Sequence, residues 1–300
     1  MWILLIITFI AIVLLFMISY SNKLCKIVIY PKKKSYEKGY IDQIKRLNLE
    51  DYYNYLPKEE IILKSTYGYN IRGLFIPNGN SKKCIIICHG ITANLNYSVK
   101  YIKPFYSRGY SIFIYDHRNH GLSGGNYTSM GYYEKYDLKT CVDFIFNKLG
   151  ADTTLGVLGE SMGAGTVLQY CAIDNRASFC IEDCGYSDVF DLFKYRLKED
   201  YKINFPPLMY MANLMMKIKY GWTFKAASPI KYIKDIEIPI LFIHGDKDDY
   251  VPTYMVYDLY NAKSKGFKDI YVAKNAKHAE AFLIDPVKYD EVIDNFLKNL

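Results

Sequence analysis

Gly159-Glu160-Ser161-Met162-Gly163 is the stretch of this chain best suited to chemistry. It follows the apolar run Thr154–Leu158 and opens a helical pattern that begins at Met162. Gly159 and Gly163 allow a tight strand-to-helix turn, which pushes the serine hydroxyl out at the end of a sheet. The helix amino terminus beneath it supplies N–H groups where an oxyanion develops. Ser161 is the candidate nucleophile, and the chemistry is acyl transfer. A serine hydroxyl is weak at neutral pH and needs a base. Of five histidines, His89, His120 and His244 each precede a glycine, and His117 shares the loop of His120. His278 alone follows the last strand pattern, so it fits the chain order Ser, Asp, His. It is the candidate general base, and then the acid toward the leaving group.

These residues need a sheet to hold them. Cys84–Cys88, Ser111–Tyr115, Thr154–Leu158, Phe179–Glu182, Ile238–Ile243 and Asp269–Ala273 are apolar runs bounded by turns. Such runs suit strands buried on both faces. Glu60–Thr66 and Ile71–Ile76 flank Tyr67-Gly68-Tyr69-Asn70 and read as a hairpin. Helical patterns lie between or after the strands at Tyr132–Leu149, Met162–Ile173, Pro252–Lys265 and Pro286–Leu300. The alternation predicts an α/β fold, a mostly parallel sheet with helices on both faces. About forty residues, Tyr186 to Ser228, interrupt it without a strand of their own. They hold four of the nine methionines (Met209, Met211, Met215, Met216), which suits a compliant lid over an acyl chain and equally an ordinary helical subdomain.

The acid should follow the preceding strand, where Leu241-Phe242-Ile243-His244-Gly245-Asp246-Lys247-Asp248-Asp249-Tyr250-Val251-Pro252 offers three aspartates. Here the chain resembles the α/β-hydrolase superfamily, in particular its serine aminopeptidase-like and prolyl-oligopeptidase-like esterase branch. The resemblance covers roughly residues 60–300 and assigns the acid to Asp248, with Asp183 as the alternative. It also places the oxyanion loop at His89-Gly90-Ile91-Thr92, so that the N–H groups of Ile91 and Met162 are the expected oxyanion donors. Asp116-His117-Arg118-Asn119-His120-Gly121-Leu122-Ser123 resembles a further family segment in which Asn119 replaces a glycine, and it is expected to support that loop.

Met1 to Tyr20 contains only Thr8 and Ser19 as clearly polar residues. About 20 helical residues rise roughly 30 Å, the thickness of a hydrocarbon core, so the segment is expected to anchor the chain in a membrane by a single span. The basic start and small-residue cleavage site of a signal peptide are missing. The expected domains are an anchor over 1–20, a basic linker and helix over 21–58, and the hydrolase body over 59–300 with its lid at 186–228.

The formal net charge of +7 is concentrated beside that anchor. Six lysines (Lys23, Lys26, Lys32, Lys33, Lys34, Lys38) against Glu37 put +5 on residues 21–40 and leave +2 for the rest. A collar of this kind meets anionic head groups and, by the positive-inside rule, places the body in the cytoplasm. Seven cysteines without the short spacings of a disulfide scaffold suit the same reducing compartment. The nearly neutral body argues against nucleic acid and for a small, partly apolar ester. No Gly-rich phosphate loop or metal-ligand spacing competes, so no cofactor or metal is expected. The same residues would serve a peptidase or amidase, and the remaining alternative is a tethered binding module that keeps the fold.

Overall fold

In the computed structural model, which describes residues 1–300, the chain opens with a single 28-residue helix, α1 (Trp2–Ile29). Its amino-terminal part is apolar on all sides and uncovered, and it is long and apolar enough to cross a bilayer. The helix does not stop at Tyr20 with the apolar run. It continues because Ser21, Cys25, Val28 and Ile29 recur on one face and are buried against the body, and it ends just ahead of Pro31. Two short helices follow, α2 (Tyr36–Tyr40) and α3 (Glu50–Tyr55), with a π-helical turn between them at Ile41–Lys45. The Ser35 side chain caps α2 by accepting from the Lys38 N–H.

β1 (Glu59–Lys64) and β2 (Asn70–Ile76) form the expected hairpin, with Lys64 opposite Asn70. β3 (Lys83–Cys88), β4 (Ser111–Tyr115), β5 (Thr154–Glu160), β6 (Phe179–Asp183), β7 (Ile240–Gly245) and β8 (Lys268–Ala273) are mutually parallel, in the order β1-β2-β4-β3-β5-β6-β7-β8. Only β2 runs opposite to the other strands of the sheet. From β3 the chain goes first to β4 on one side and later to β5 on the other. The loops after β3 and β5 therefore flank the switch point, where ligands bind in open α/β sheets.

The remaining helices are α4 (Ile102–Tyr106), α5 (Glu134–Leu149), α6 (Met162–Cys171), α7 (Val189–Tyr201), α8 (Pro206–Tyr220), α9 (Tyr254–Ala262), α10 (Ala281–Ile284) and α11 (Pro286–Lys298). The period-2 rule divides the core. Ile85 and Ile87 point to the side covered by α4 and α11, while Cys84, Ile86 and Cys88 point to the side covered by α5, α6 and α9. Each of these isoleucines is fully buried, which stabilises the fold by about 2 kcal/mol per side chain.

Between β6 and β7 the chain forms α7, α8 and a 3-10 turn at Phe224–Ala227. Asp188 caps α7 by accepting from the Phe190 and Asp191 N–H groups. Lys202 in a left-handed conformation closes α7, and Pro206-Pro207 starts α8. A third apolar core joins Cys25, Val28 and Ile29 of α1 to Met209, Met216 and Trp222 of this insertion. Ser21 Oγ donates to the Leu208 carbonyl at 3.2 Å, and the Ile29 carbonyl accepts from the Thr128 N–H at 3.0 Å. The carboxyl end of α1 is thus packed into the body.

Candidate active site

Ser161 sits between β5 and α6 with φ 57° and ψ −113°, a conformation that bulky residues avoid and that projects its hydroxyl from the turn. The flanking glycines are there for space. A Cβ on Gly159 would lie 2.1 Å from the Gly163 carbonyl oxygen, and one on Gly163 would lie 2.1 Å from that of Cys88. The elbow therefore packs backbone on backbone against the end of β3.

Ser161 Oγ lies 2.9 Å from His278 Nε2, and His278 Nδ1 lies 2.7 Å from Asp248 Oδ2. Three residues far apart in sequence form one hydrogen-bonded line. Asp248 is held from all sides. Its Oδ1 accepts from the Tyr250 and Val251 N–H groups at 2.9 and 2.8 Å, and its Oδ2 also faces His244 Nε2 at 3.2 Å. Burial works to raise the Asp248 carboxyl, but the neighbouring His244 and His278 imidazoles outweigh it and hold the group well below the usual carboxylate range. Asp246 and Asp249 take no part in the line. Asp183 accepts instead from the Tyr101 and Tyr289 hydroxyls, at 3.0 and 2.9 Å, and burial beside Glu160 pushes its carboxyl up to about 6.

Two neutral histidines hold the loop after β3. His89 Nδ1 donates to the Gly90 carbonyl at 2.7 Å while its Nε2 accepts from the His117 N–H at 3.0 Å, a tautomer set by these partners. His120 repeats the arrangement, with Nδ1 on the Arg118 carbonyl at 2.9 Å and Nε2 on the Thr92 N–H at 3.2 Å. Burial pushes His89 down to about 4 and His120 to about 3, so both stay uncharged. Asp116 Oδ1 accepts from the Leu95 N–H at 2.8 Å and Oδ2 from the Leu122 N–H at 2.9 Å. Asn119 has φ 58°, the left-handed region that asparagine tolerates better than most residues, which explains why it can stand where glycine is usual. The Ile91 N–H has no acceptor within the protein, and the Met162 N–H, first in α6, has none within its helix.

Sequence reasoning missed a buried support beneath the elbow. Lys100 Nζ is 2.5 Å from Glu160 Oε2 and donates to the Ala279 carbonyl at 3.3 Å, so it joins the elbow to the His278 loop. Burial works to raise the Glu160 carboxyl, but Lys100 and the Tyr101 hydroxyl outweigh it and hold it below its ordinary value. Glu160 was visible within the pentapeptide, but Lys100 lies in a segment with no pattern of its own. The role of His244 was signalled only by its His-Gly pair.

Ser161 and His278 line a cavity of 400 Å³ with Lys34, Lys100 and Glu160. A larger cavity of 740 Å³ around Cys171 and Arg176 has no nucleophile beside a base, so the smaller one is the candidate site on chemical grounds. Cys184, Asp248 and His278 could offer three donors to a metal, their atoms lying within 4.8 Å of one another. The Asp248 oxygens are already engaged by two N–H groups and two histidines, which makes the cluster a poor cation site.

The chain belongs to the α/β-hydrolase superfamily. A family model described as α/β-hydrolase fold matches residues 83–185, from β3 to just past β6. The Bacillus subtilis protein YqkD is 36% identical over 280 residues, covering 91% of this chain and 90% of its own length. A Saccharomyces cerevisiae protein named as a membrane protein, YNL320W, is 25% identical over 81% of this chain and 80% of its own. Among solved structures, an esterase of Pyrococcus furiosus is similar with a TM-score of 0.68 and 22% identity, covering 85% of this chain and 93% of that one.

Proposed function

We propose that the chain is a serine hydrolase that cleaves carboxylic esters through an acyl-enzyme intermediate and is held to a membrane by α1. The observation that carries this reading is the line from Ser161 through His278 to Asp248 at the wall of the 400 Å³ cavity. His278 Nε2 takes the Ser161 proton as Oγ attacks the ester carbonyl carbon. Asp248 holds the imidazole with its Nδ1–H inward and stabilises the imidazolium that forms. The Ile91 and Met162 N–H groups receive the oxyanion, each worth on the order of 10²–10³ in rate. His278 then gives its proton to the leaving alcohol, and water, deprotonated by the same histidine, releases the acid and restores Ser161.

The similar Pyrococcus furiosus protein is an esterase, which supports an ester over an amide. The experiment is a screen of p-nitrophenyl esters of graded length beside aminoacyl-anilides, run on wild type and Ser161→Ala. Ester hydrolysis that falls by up to about 10⁶ in the variant is expected. Faster turnover of the anilides would shift the reading to a peptidase, and unchanged ester hydrolysis in Ser161→Ala would remove it.

A further inference from the structure

A second cavity, of 240 Å³, opens beside the candidate active site. Ile91, Thr92 and Tyr250 line both, so the two spaces share a wall at the loop that carries the expected oxyanion donor. The chemistry of the two differs. Eleven of the sixteen residues around the second cavity are hydrophobic, whereas lysines and carboxylates crowd the first. Part of its lining comes from Leu24, Ile27 and Val28 of α1, the rest chiefly from residues of the insertion such as Phe193 and Met209.

We propose that this cavity receives the acyl chain of a membrane lipid ester, so that α1 is at once the anchor and one wall of the acyl site. The ester chemistry rests on the serine-hydrolase reading, but the binding of the chain does not. Apolar cavities of about 150 Å³ hold a benzene ring, and at that ratio 240 Å³ holds roughly ten carbons. Leu24 lies only four residues beyond Tyr20, about 6 Å along the helix, which brings the cavity to the edge of the apolar span. Ser21 pairs with Leu208 and Cys25 with Ala212, so α1 and α8 run in the same direction where they touch. The turn between α7 and α8 therefore lies at the membrane end, and Tyr201, Phe205 and Tyr210 are exposed there. Aromatic side chains of this kind suit the head-group level of a bilayer. A chain leaving the bilayer beside α1 reaches the cavity with little passage through water, a benefit that a short soluble ester does not need.

The test uses the full-length chain in nanodiscs and has two arms. In the first, palmitic acid carrying a diazirine is photolysed with the protein, and the labelled peptides are mapped by mass spectrometry. Label on Leu24–Val28 and around Phe193 is expected, reduced several-fold in Leu24→Trp and in the half-exposed Ile27→Trp, which should be tolerated if the former is not. In the second, p-nitrophenyl laurate is compared with the acetate. Either tryptophan should lower the laurate-to-acetate ratio of kcat/KM by roughly tenfold or more. Ile218→Trp, on the exposed side of α8, should leave that ratio as in wild type. Label confined to the apolar span, or a ratio unmoved by both tryptophans, overturns the inference. If no ester is turned over but the label still falls on Leu24–Val28, the acyl site stands and the serine-hydrolase reading fails.

Discussion

Asp248 accepts from three groups, the Tyr250 and Val251 N–H groups and His278, with His244 Nε2 3.2 Å from its Oδ2, whereas Asp183 has no histidine partner. Asp248→Asn should lower kcat by about 10⁴, as loss of the orienting acid does elsewhere, while Asp183→Asn should leave turnover nearly intact. His244 donates to the Val251 carbonyl at 2.9 Å and borders the Asp248 carboxylate, so it is expected to position that loop. Removing this imidazole and its bond to the acid loop in His244→Phe should lower kcat about tenfold with little change in KM, read from initial rates on one ester. Glu182, on β6 opposite Phe242 of β7, supplies a pH test. Burial pushes its carboxyl up to about 8, against about 4.3 in an unfolded chain. Between those values the folded protein binds a proton that the unfolded chain has lost, so stability falls as pH rises through that window and is flat above it. Glu182→Gln should flatten the fall in Tm between pH 5 and pH 8. Ser161 and His278 were legible at this scale because a strand, a helix start and the chain order frame them. The choice among aspartates was not legible from the residues alone, because the fold of a short loop decides which carboxylate faces the histidine.

Elements were legible where their pattern is their own. β3 to β7 announce themselves by continuous apolar runs, and α5, α6, α9 and α11 by helical spacing. α2, α3 and α4 were blurred or missed, since contacts remote in sequence hold them in place. The Asn96 side chain donates to the Tyr36 carbonyl at 3.2 Å, and the Tyr97 hydroxyl donates to Asp42 at 2.9 Å. The overrun of α1 to Ile29 was hidden for the same reason, because its buried face exists only once α8 is in place. The elbow gives the sharpest prediction here. Gly163→Ala forces a Cβ into the Cys88 carbonyl, so it should destabilise the protein by about 3 kcal/mol and lower Tm in a thermal melt.

For the whole molecule, the placing of charge matters more than its sum. The lysine collar follows the apolar span, so the body is expected on the cytoplasmic side, and protease added to sealed cells should leave it intact until the cells are lysed. The sequence showed a long apolar segment and an α/β-hydrolase body in series. It did not show that the end of this helix belongs to the body, because that depends on how α1 and the insertion pack. The central claim concerns Ser161, and the most direct measurement is mass spectrometry of the full-length protein after reaction with a fluorophosphonate. The account predicts one adduct, on the peptide that contains Ser161, absent in Ser161→Ala and formed much more slowly in a variant lacking His278. An adduct on another residue, or ester hydrolysis that continues with Ser161 fully modified, would contradict it.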